Sequence, residues 1–253
     1  MREPLQFTFY TFSTSGTSGF FGRSMAALGD IDGDGVLDLA VGAHYDSDGG
    51  TQAGSVLYVL FLETSGSVIN AQKLSALHGN IDAFYVVETA DYFGVSVAAL
   101  GDLDGDGVGD TAVGAHDDDD GPAGNIGAVH MLFLETNGNV KDANKISALH
   151  GNLNTFYALE AGIRFGISAT TLGDADGGGV VDLAVGADFD HYGGSYTGAV
   201  YVIFLETNAN AKSAQKISYS YGNLNAFYTI DANDRLCGSL AVLGDIDGGR
   251  WCR

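Results

Sequence analysis

The chain has 253 residues, 45% of them hydrophobic, which is enough to bury a sizeable core. Its formal charge of -21 excludes a grip on nucleic-acid phosphates, which needs clustered Lys and Arg, and no apolar run approaches the length of a transmembrane helix. Turns fall to Gly, Asp and Asn, since there are 38 glycines and 2 prolines, and the two cysteines, Cys237 and Cys252, make no disulfide framework.

Met1-Arg2-Glu3-Pro4 leads into Leu5 to Phe12, where Gln6, Thr8 and Thr11 interrupt the apolar core of an export signal. Either the protein is not exported or its N-terminus lies upstream. Phe9-Tyr10 stands where a Phe-Tyr pair stands in later segments, so residues 1–19 read as the tail of a repeat. Leu28-Gly29-Asp30 then recurs at 100–102, 172–174 and 243–245, at offsets of 72, 72 and 71. Between Ala27–His44 and Ala99–His116, 15 of 18 positions are identical; 31/103, 37/109 and 39/111 differ. The repeats run at approximately 20–91, 92–163 and 164–234, with partial copies at 1–19 and 235–253, all in a single domain spanning 1–253.

Each repeat predicts four short strands in order. Ser24–Leu28, Val95–Leu100 and Ile167–Leu172 form the first; Leu37–Val41, Thr111–Val113 and Val181–Val185 follow a tight acidic turn. Val56–Leu62, Ala128–Leu134 and Ala199–Leu205 are the most apolar and read as buried strands. Gln72–Ser75 and its counterparts supply a polar fourth. The pattern is all-β. A lone four-stranded sheet cannot cover both its faces, and radial stacking of copies gives a β-propeller. A β-solenoid would need a far shorter repeat, and independent tandem domains would need linkers, whereas Tyr85 reaches Phe93 in eight steps.

The acidic turn carries the chemistry. Asp30-Ile31-Asp32-Gly33-Asp34-Gly35-Val36-Leu37-Asp38 reads D-x-D-G-D-G-x-x-D, and Asp102 to Asp110 repeats it. Calcium takes six to eight oxygens in flexible geometry. Asp30, Asp32 and Asp34 converge if the loop turns sharply at Gly35; Val36 offers its carbonyl and Asp38 closes the site. Asp102, Asp104, Asp106, Val108 and Asp110 form the second set, turning at Gly107. In the third, Asp174, Asp176, Val180 and Asp182 remain, but Gly178 replaces the middle carboxylate, so binding there is expected to be weaker. In the fourth, Asp245 and Asp247 run into Gly249-Arg250 and no site is expected. Asp-Gly hairpins also form without metal. Four carboxylates in nine residues, however, repel one another without a cation, and an ordinary turn has no need of them.

With these loops come Phe21-Gly22, Phe93-Gly94 and Phe165-Gly166 at the start of each repeat, and Val41-Gly42-Ala43, Val113-Gly114-Ala115 and Val185-Gly186-Ala187 after each loop. The combination resembles the FG-GAP repeat of integrin α-subunit propellers and bacterial surface proteins, from about Phe20 to Gly248. The resemblance implies a seven-bladed ring of four-stranded antiparallel blades, Ca2+ in the hairpin loops, and a role in adhesion or protein recognition. His44, His116 and Asp188 depart from the family's usual Pro, and Leu236-Cys237 replaces Phe-Gly. About three and a half repeats predict an incomplete ring. Two copies would hold the family's number of blades, so a homodimer is one expected way of closing it. The terminal stretch from Gly249 to Arg253 leaves the repeat abruptly, as a truncated or frame-shifted reading frame would.

His44/His116 and His78/His150 occupy equivalent positions, and a residue repeated in each blade reads as structural rather than catalytic; no catalytic motif is present, so no enzyme is expected. Asp117–Asp120, with Asp46, Asp48, Asp188 and Asp190 in the sister repeats, reads first as a solvated acidic loop, or else as a second cation site or recognition surface. Phe84-Tyr85, Phe156-Tyr157 and Phe227-Tyr228 read as packing between blades rather than as sugar platforms. The functional expectation is a calcium-binding module for adhesion or protein recognition at the cell surface or outside the cell, with an unidentified protein ligand, no nucleic acid and no membrane insertion. The alternative is a non-catalytic segment of a larger secreted enzyme. Extracellular sites bind calcium at roughly 10⁻⁴–10⁻³ M, too weakly to fill in the cytosol.

Overall fold

Twelve strands and three single turns of 3-10 helix make up the computed structural model, which describes residues 19–46, 56–88, 90–119, 124–191 and 194–244. Phe9-Tyr10, Asp48, Asp120, Asp245, Asp247 and the terminal Trp251-Cys252 lie outside those residues. Three four-stranded antiparallel sheets follow one another: β1(Ser24–Gly29), β2(Asp38–Ala43), β3(Val56–Leu62) and β4(Val68–Leu74); β5(Ser96–Gly101), β6(Asp110–Ala115), β7(Ala128–Leu134) and β8(Val140–Ile146); β9(Phe165–Gly173), β10(Asp182–Ala187), β11(Ala199–Leu205) and β12(Ala211–Ser218). In each, spatial order equals chain order, and the first strands β1, β5 and β9 lie next to one another across the blade junctions. This is the blade of a β-propeller.

The third strands begin and end where the sequence places them. The fourth strands are longer than Gln72–Ser75 suggests: they begin at Val68, Val140 and Ala211. Their first halves, which begin Val68-Ile69-Asn70, Val140-Lys141-Asp142 and Ala211-Lys212-Ser213, share no regular polar–apolar alternation at this sheet edge, which weakens the strand signal. Between blades, a tight turn opens each crossover: Asn80, Asn152 and Asn223 sit at φ 66, 63 and 63, before the single 3-10 turns.

The core lies between the blades. Phe61, Leu57 and Leu74 of the first blade meet Phe93, Val113 and Leu132 of the second. Met131 and Ile146 of the second meet Phe165, Tyr201 and Ile203 of the third. Phe93 and Phe165, the aromatic residues that open the second and third repeats, are fully buried there, whereas Phe21 of the first is 59% exposed. Each therefore seats its own blade on the preceding one. A matching hydrogen bond runs from Ser24 Oγ to the Gly94 carbonyl (2.8 Å), from Ser96 Oγ to that of Gly166 (2.8 Å) and from Ser168 Oγ to that of Cys237 (2.7 Å). Leu236-Cys237 thus docks as Phe-Gly does, and the fourth repeat's opening covers the third blade. Burial pushes the Cys237 thiol up to about 12, which makes it unreactive.

The repeated histidines are structural in geometry. His78 and His150 close turns with Ser75 and Ser147 (Oγ to Nδ1 3.3 Å in both). His44 and His116 are buried beside Tyr92, the second stacked on it at 4.8 Å. Burial lowers them to about 4 and about 3, so both stay neutral. Tyr85 crosses to the second blade and packs edge-on against His130, and Tyr157 does likewise against Tyr201, as expected of packing residues. Phe156 and Phe227 stay outside at 40% and 75% exposure.

The acidic loop after the second strand corrects the solvated reading. Asp118 and Asp190 are buried, and each is clamped by a lysine of its blade's fourth strand: Lys145 Nζ to Asp118 at 2.7 Å, Lys216 Nζ to Asp190 at 2.7 Å. The Tyr201 hydroxyl donates to Asp190 (2.8 Å), and His130 lies 3.3 Å from Asp118 in the equivalent place. Burial alone would raise Asp118, but His130 and Lys145 outweigh it and hold the carboxyl at about 2. In the first blade the same trio, Lys73, Asp46 and Tyr58, is looser, with the ion pair at 3.6 Å. Among the described residues, Asp118 and Asp190 are therefore structural partners of these lysines.

Candidate metal centre

Each acidic loop joins the first strand of its blade to the second, and its shape follows from its glycines. Gly35 and Gly107 both have φ 91, a left-handed conformation that a side chain would strain and that turns the loop back on itself. The first carboxylate reads the turn: Asp30 accepts from the amides of Gly33 (2.8 Å), Asp34 (3.0 Å) and Gly35 (2.9 Å). Asp102 and Asp174 accept from Gly107 (2.9 Å) and Gly179 (3.0 Å).

The last carboxylate anchors the loop. Asp38, Asp110 and Asp182 are buried. One oxygen of each accepts from the loop amide of Ile31, Leu103 or Ala175 (2.9, 2.9 and 2.8 Å). The other accepts from the third strand at Leu62, Leu134 or Leu205 (3.0, 3.1 and 3.0 Å). Burial pushes Asp110 up to about 6 and raises Asp182.

Three carboxylates converge in every blade: Asp30, Asp32 and Asp38; Asp102, Asp104 and Asp110; Asp174, Asp176 and Asp182, each offering an oxygen within 4.8 Å of the others. Asp34 and Asp106 are not brought into these groups. They turn back to accept from the amides of Val36 (2.8 Å) and Val108 (2.9 Å). Val36, Val108 and Val180 follow directly at the turn.

Sequence reasoning missed two side chains that reach these loops. Lys141, the second residue of β8, places its ammonium 2.7 Å from Asp104 and against Asp106. Lys212, the second residue of β12, sits 2.8 Å from Asp176. The hydrogen bond from Lys141 lowers Asp106, and that from Lys212 lowers Asp176. Ile69 holds the same place in β4. There Asp32 is raised, chiefly by burial, with Asp34, Asp38 and Asp30 adding repulsion. Aligning the fourth strands at the repeat offset would have shown Ile, Lys, Lys. The donor set is all oxygen and strongly anionic, and an ammonium already stands between two of the carboxylates, so the loops fit a hard cation.

Residues 21–59 match the family described as FG-GAP repeat. The chain is 32% identical to "Integrin alpha-3" of Cricetulus griseus over 172 residues, which is 68% of this chain and 14% of that protein. It is 32% identical to "Integrin alpha-PS2" of Drosophila melanogaster over 187 residues (72% and 11%), and 41% identical to "Integrin alpha-7" of Homo sapiens over 105 residues (42% and 8%). The chain thus matches a small fraction of each relative's length. With its recurring Phe-Gly and Val-Gly-Ala segments and its blades of four antiparallel strands, the chain carries FG-GAP repeats and is similar over about two thirds of its length to integrin α subunits.

Proposed function

We propose that the chain is a calcium-binding β-propeller module for adhesion or protein–protein recognition, at the cell surface or outside the cell. The observation that supports it most is the convergence of three carboxylates in each of three equivalent loops. Asp30, Asp32 and Asp38 would hold the ion in the first loop and their counterparts in the others, with the carbonyls of Val36, Val108 and Val180. Asp34 and Asp106 would join after a side-chain rotation. Bound calcium would supply charge neutralisation and rigidity, not a reaction.

At about 1–2 mM calcium, sites at the tighter end of the extracellular range add on the order of 1–2 kcal/mol each. The melting temperature should rise by several degrees over that in chelator. Magnesium, which demands a tight octahedral shell, should do less. Superimposed melting curves in calcium and chelator would overturn the proposal. Asp32→Ala should remove about one site by calorimetry, and Asp46→Ala, whose carboxylate pairs with Lys73, should remove none.

Binding should also be linked to pH. Asp110 in the folded chain holds its proton up to about 6, against 3.8 when unfolded. Its charge therefore works against folding as pH rises from about 4 to above 6, and a cation offsets that. Calcium at the second loop should release about half a proton at pH 6 and almost none at pH 8. Calorimetry in two buffers of different ionisation enthalpy reads the difference.

The ends of the three-blade arc support association with a second copy. Phe21, Met25 and Leu37 at one end and Phe227, Tyr228 and Leu243 at the other are 59–78% exposed. Such apolar surface favours pairing. Light scattering coupled to size exclusion in calcium should give at least a dimer; a monodisperse species of 26.2 kDa would count against it.

A further inference from the structure

The three acidic loops are alike in their carboxylates but differ in what the neighbouring fourth strand offers them. Loop one has Asp30, Asp32, Asp34 and Asp38, and its blade's fourth strand carries Ile69 at the position that holds lysine in the other two. Loop two has the same four carboxylates and one ammonium, Lys141, bound to Asp104 and Asp106. Loop three has three carboxylates and Lys212 on Asp176. Formal loop charges are therefore -4, -3 and -2. The lysines reach across the blade from 35 and 36 residues away, so their place is set by the sheet, not by the loop. In loop three, the space where the middle carboxylate would stand is also the lysine's: a Cβ built on Gly178 would lie 3.0 Å from Lys212 Nζ.

We propose that Lys141 and Lys212 are tethered counter-cations, which hold the second and third loops in their closed shape without a metal and compete with calcium for their carboxylates. The loops then form a graded series: the first is the calcium-dependent site, the second binds only as its lysine yields, and the third is the weakest. The two demands are physically linked. A loop of four carboxylates with no cation repels itself, so the first loop depends on a diffusible ion, whereas the others carry one on the chain. A divalent ion entering loop two must displace the ammonium from Asp104, one of the three converging carboxylates. The displaced lysine, 22% exposed along its side chain, has solvent to retreat into, so the exchange is open to a competitor.

The inference rests on the loops being calcium sites, and its test separates the two ideas. Calcium chloride is titrated calorimetrically at low ionic strength into the whole chain and into Lys141→Ile, Lys212→Ile and Ile69→Lys, with melting curves in chelator alongside. Lys141→Ile should tighten one weak site by about three- to tenfold, the weight of one surface ion pair or charge-assisted hydrogen bond. It should also lower the melting temperature in chelator. Ile69→Lys, at a position 48% exposed and so tolerant of the change, should do the reverse: weaken the tightest site by a similar factor and raise the melting temperature in chelator. Because the second variant adds a group to an exposed position, the test survives a misfolded first variant. Calcium uptake indifferent to all three substitutions would overturn the tethered-cation proposal while leaving the calcium sites standing. No uptake by the parent or by Lys141→Ile would overturn both.

Discussion

Asp190→Ala is expected to destabilise the chain by about 3–5 kcal/mol, because it leaves the Lys216 ammonium buried with its principal anion gone. Neither side chain of the pair exceeds 2% exposure, and the contact is 2.7 Å. Burial already depresses the Lys216 pKa, and Asp190 works against that. The effect should appear as a lower urea midpoint at an unchanged slope. Breaking such a pair and replacing it whole are different experiments. Asp190→Leu with Lys216→Met and Tyr201→Phe removes the carboxylate together with the ammonium and the hydroxyl that bind it, and hydrophobic substitution of a buried ion pair is often neutral or stabilising. Recovery of most of the loss in the triple variant is the expected result. A single variant as stable as the parent would show that the pair contributes nothing. Asp46→Ala in the first blade, where the same pair is looser and more exposed, should cost well under half as much.

Gly114→Ala is expected to cost about 3 kcal/mol, at the upper end of overpacking effects. A Cβ there would lie 2.0 Å from the Gly166 carbonyl oxygen and 2.3 Å from Ser96 Oγ. Neither obstacle is the free end of a long side chain: one is backbone, and the other is engaged in the junction hydrogen bond. Gly42→Ala meets the same pair of atoms at the first junction, Gly94 O at 2.0 Å and Ser24 Oγ at 2.3 Å, and should behave alike. Gly33→Ala, by contrast, meets nothing within 4 Å. Its effect is confined to the strain of a left-handed alanine, of order 1 kcal/mol. If Gly114→Ala were no worse than Gly33→Ala, the junction would be looser than the geometry requires.

The sequence made most of the fold legible because a repeat displays its own boundaries. The offsets between Leu-Gly-Asp segments mark the blades, and the third strands, buried along most of their length, announce themselves by composition alone. Two kinds of feature stayed hidden. One is the first half of each fourth strand, where Asn70, Asp142 and Ser213 satisfy a sheet edge without any apolar pattern. The other is pairing across the blade: Asp118 with Lys145, Asp190 with Lys216 and Asp176 with Lys212 are 26–36 residues apart, so an acidic run looks solvated until the strands are laid side by side. In the site, the converging outer carboxylates were legible from loop spacing and the middle ones were not, since Asp34 and Asp106 prefer the nearby amides. The 37/109 difference between loops that otherwise differ only by Ile31 against Leu103 has a cause too. A Cβ on Gly109 would lie 2.1 Å from the Leu28 carbonyl of the blade before it, while Leu37 is 61% exposed.

Beside its apolar core, the junction between blades has a seam of main-chain atoms: a serine hydroxyl meeting a carbonyl, a glycine lying against a carbonyl, and an amide of the fourth strand of the second and third blades donating to the turn of the blade before, Val140 to Gly79 (3.0 Å) and Ala211 to Gly151 (2.9 Å). Such a joint asks its neighbour for a backbone path rather than for a particular side chain. Leu236-Cys237 shows the tolerance directly, since it takes the seat of Phe-Gly with the serine contact intact. Blades so joined are interchangeable parts. A duplicated copy finds the same backbone seam beside its parent, although a copy of the first blade would also need a residue smaller than Leu37 where Gly109 lies against the Leu28 carbonyl. Each copy's acidic loop then lies at the far end of its strands, free to gain or lose a ligand or a lysine while the joint stays the same.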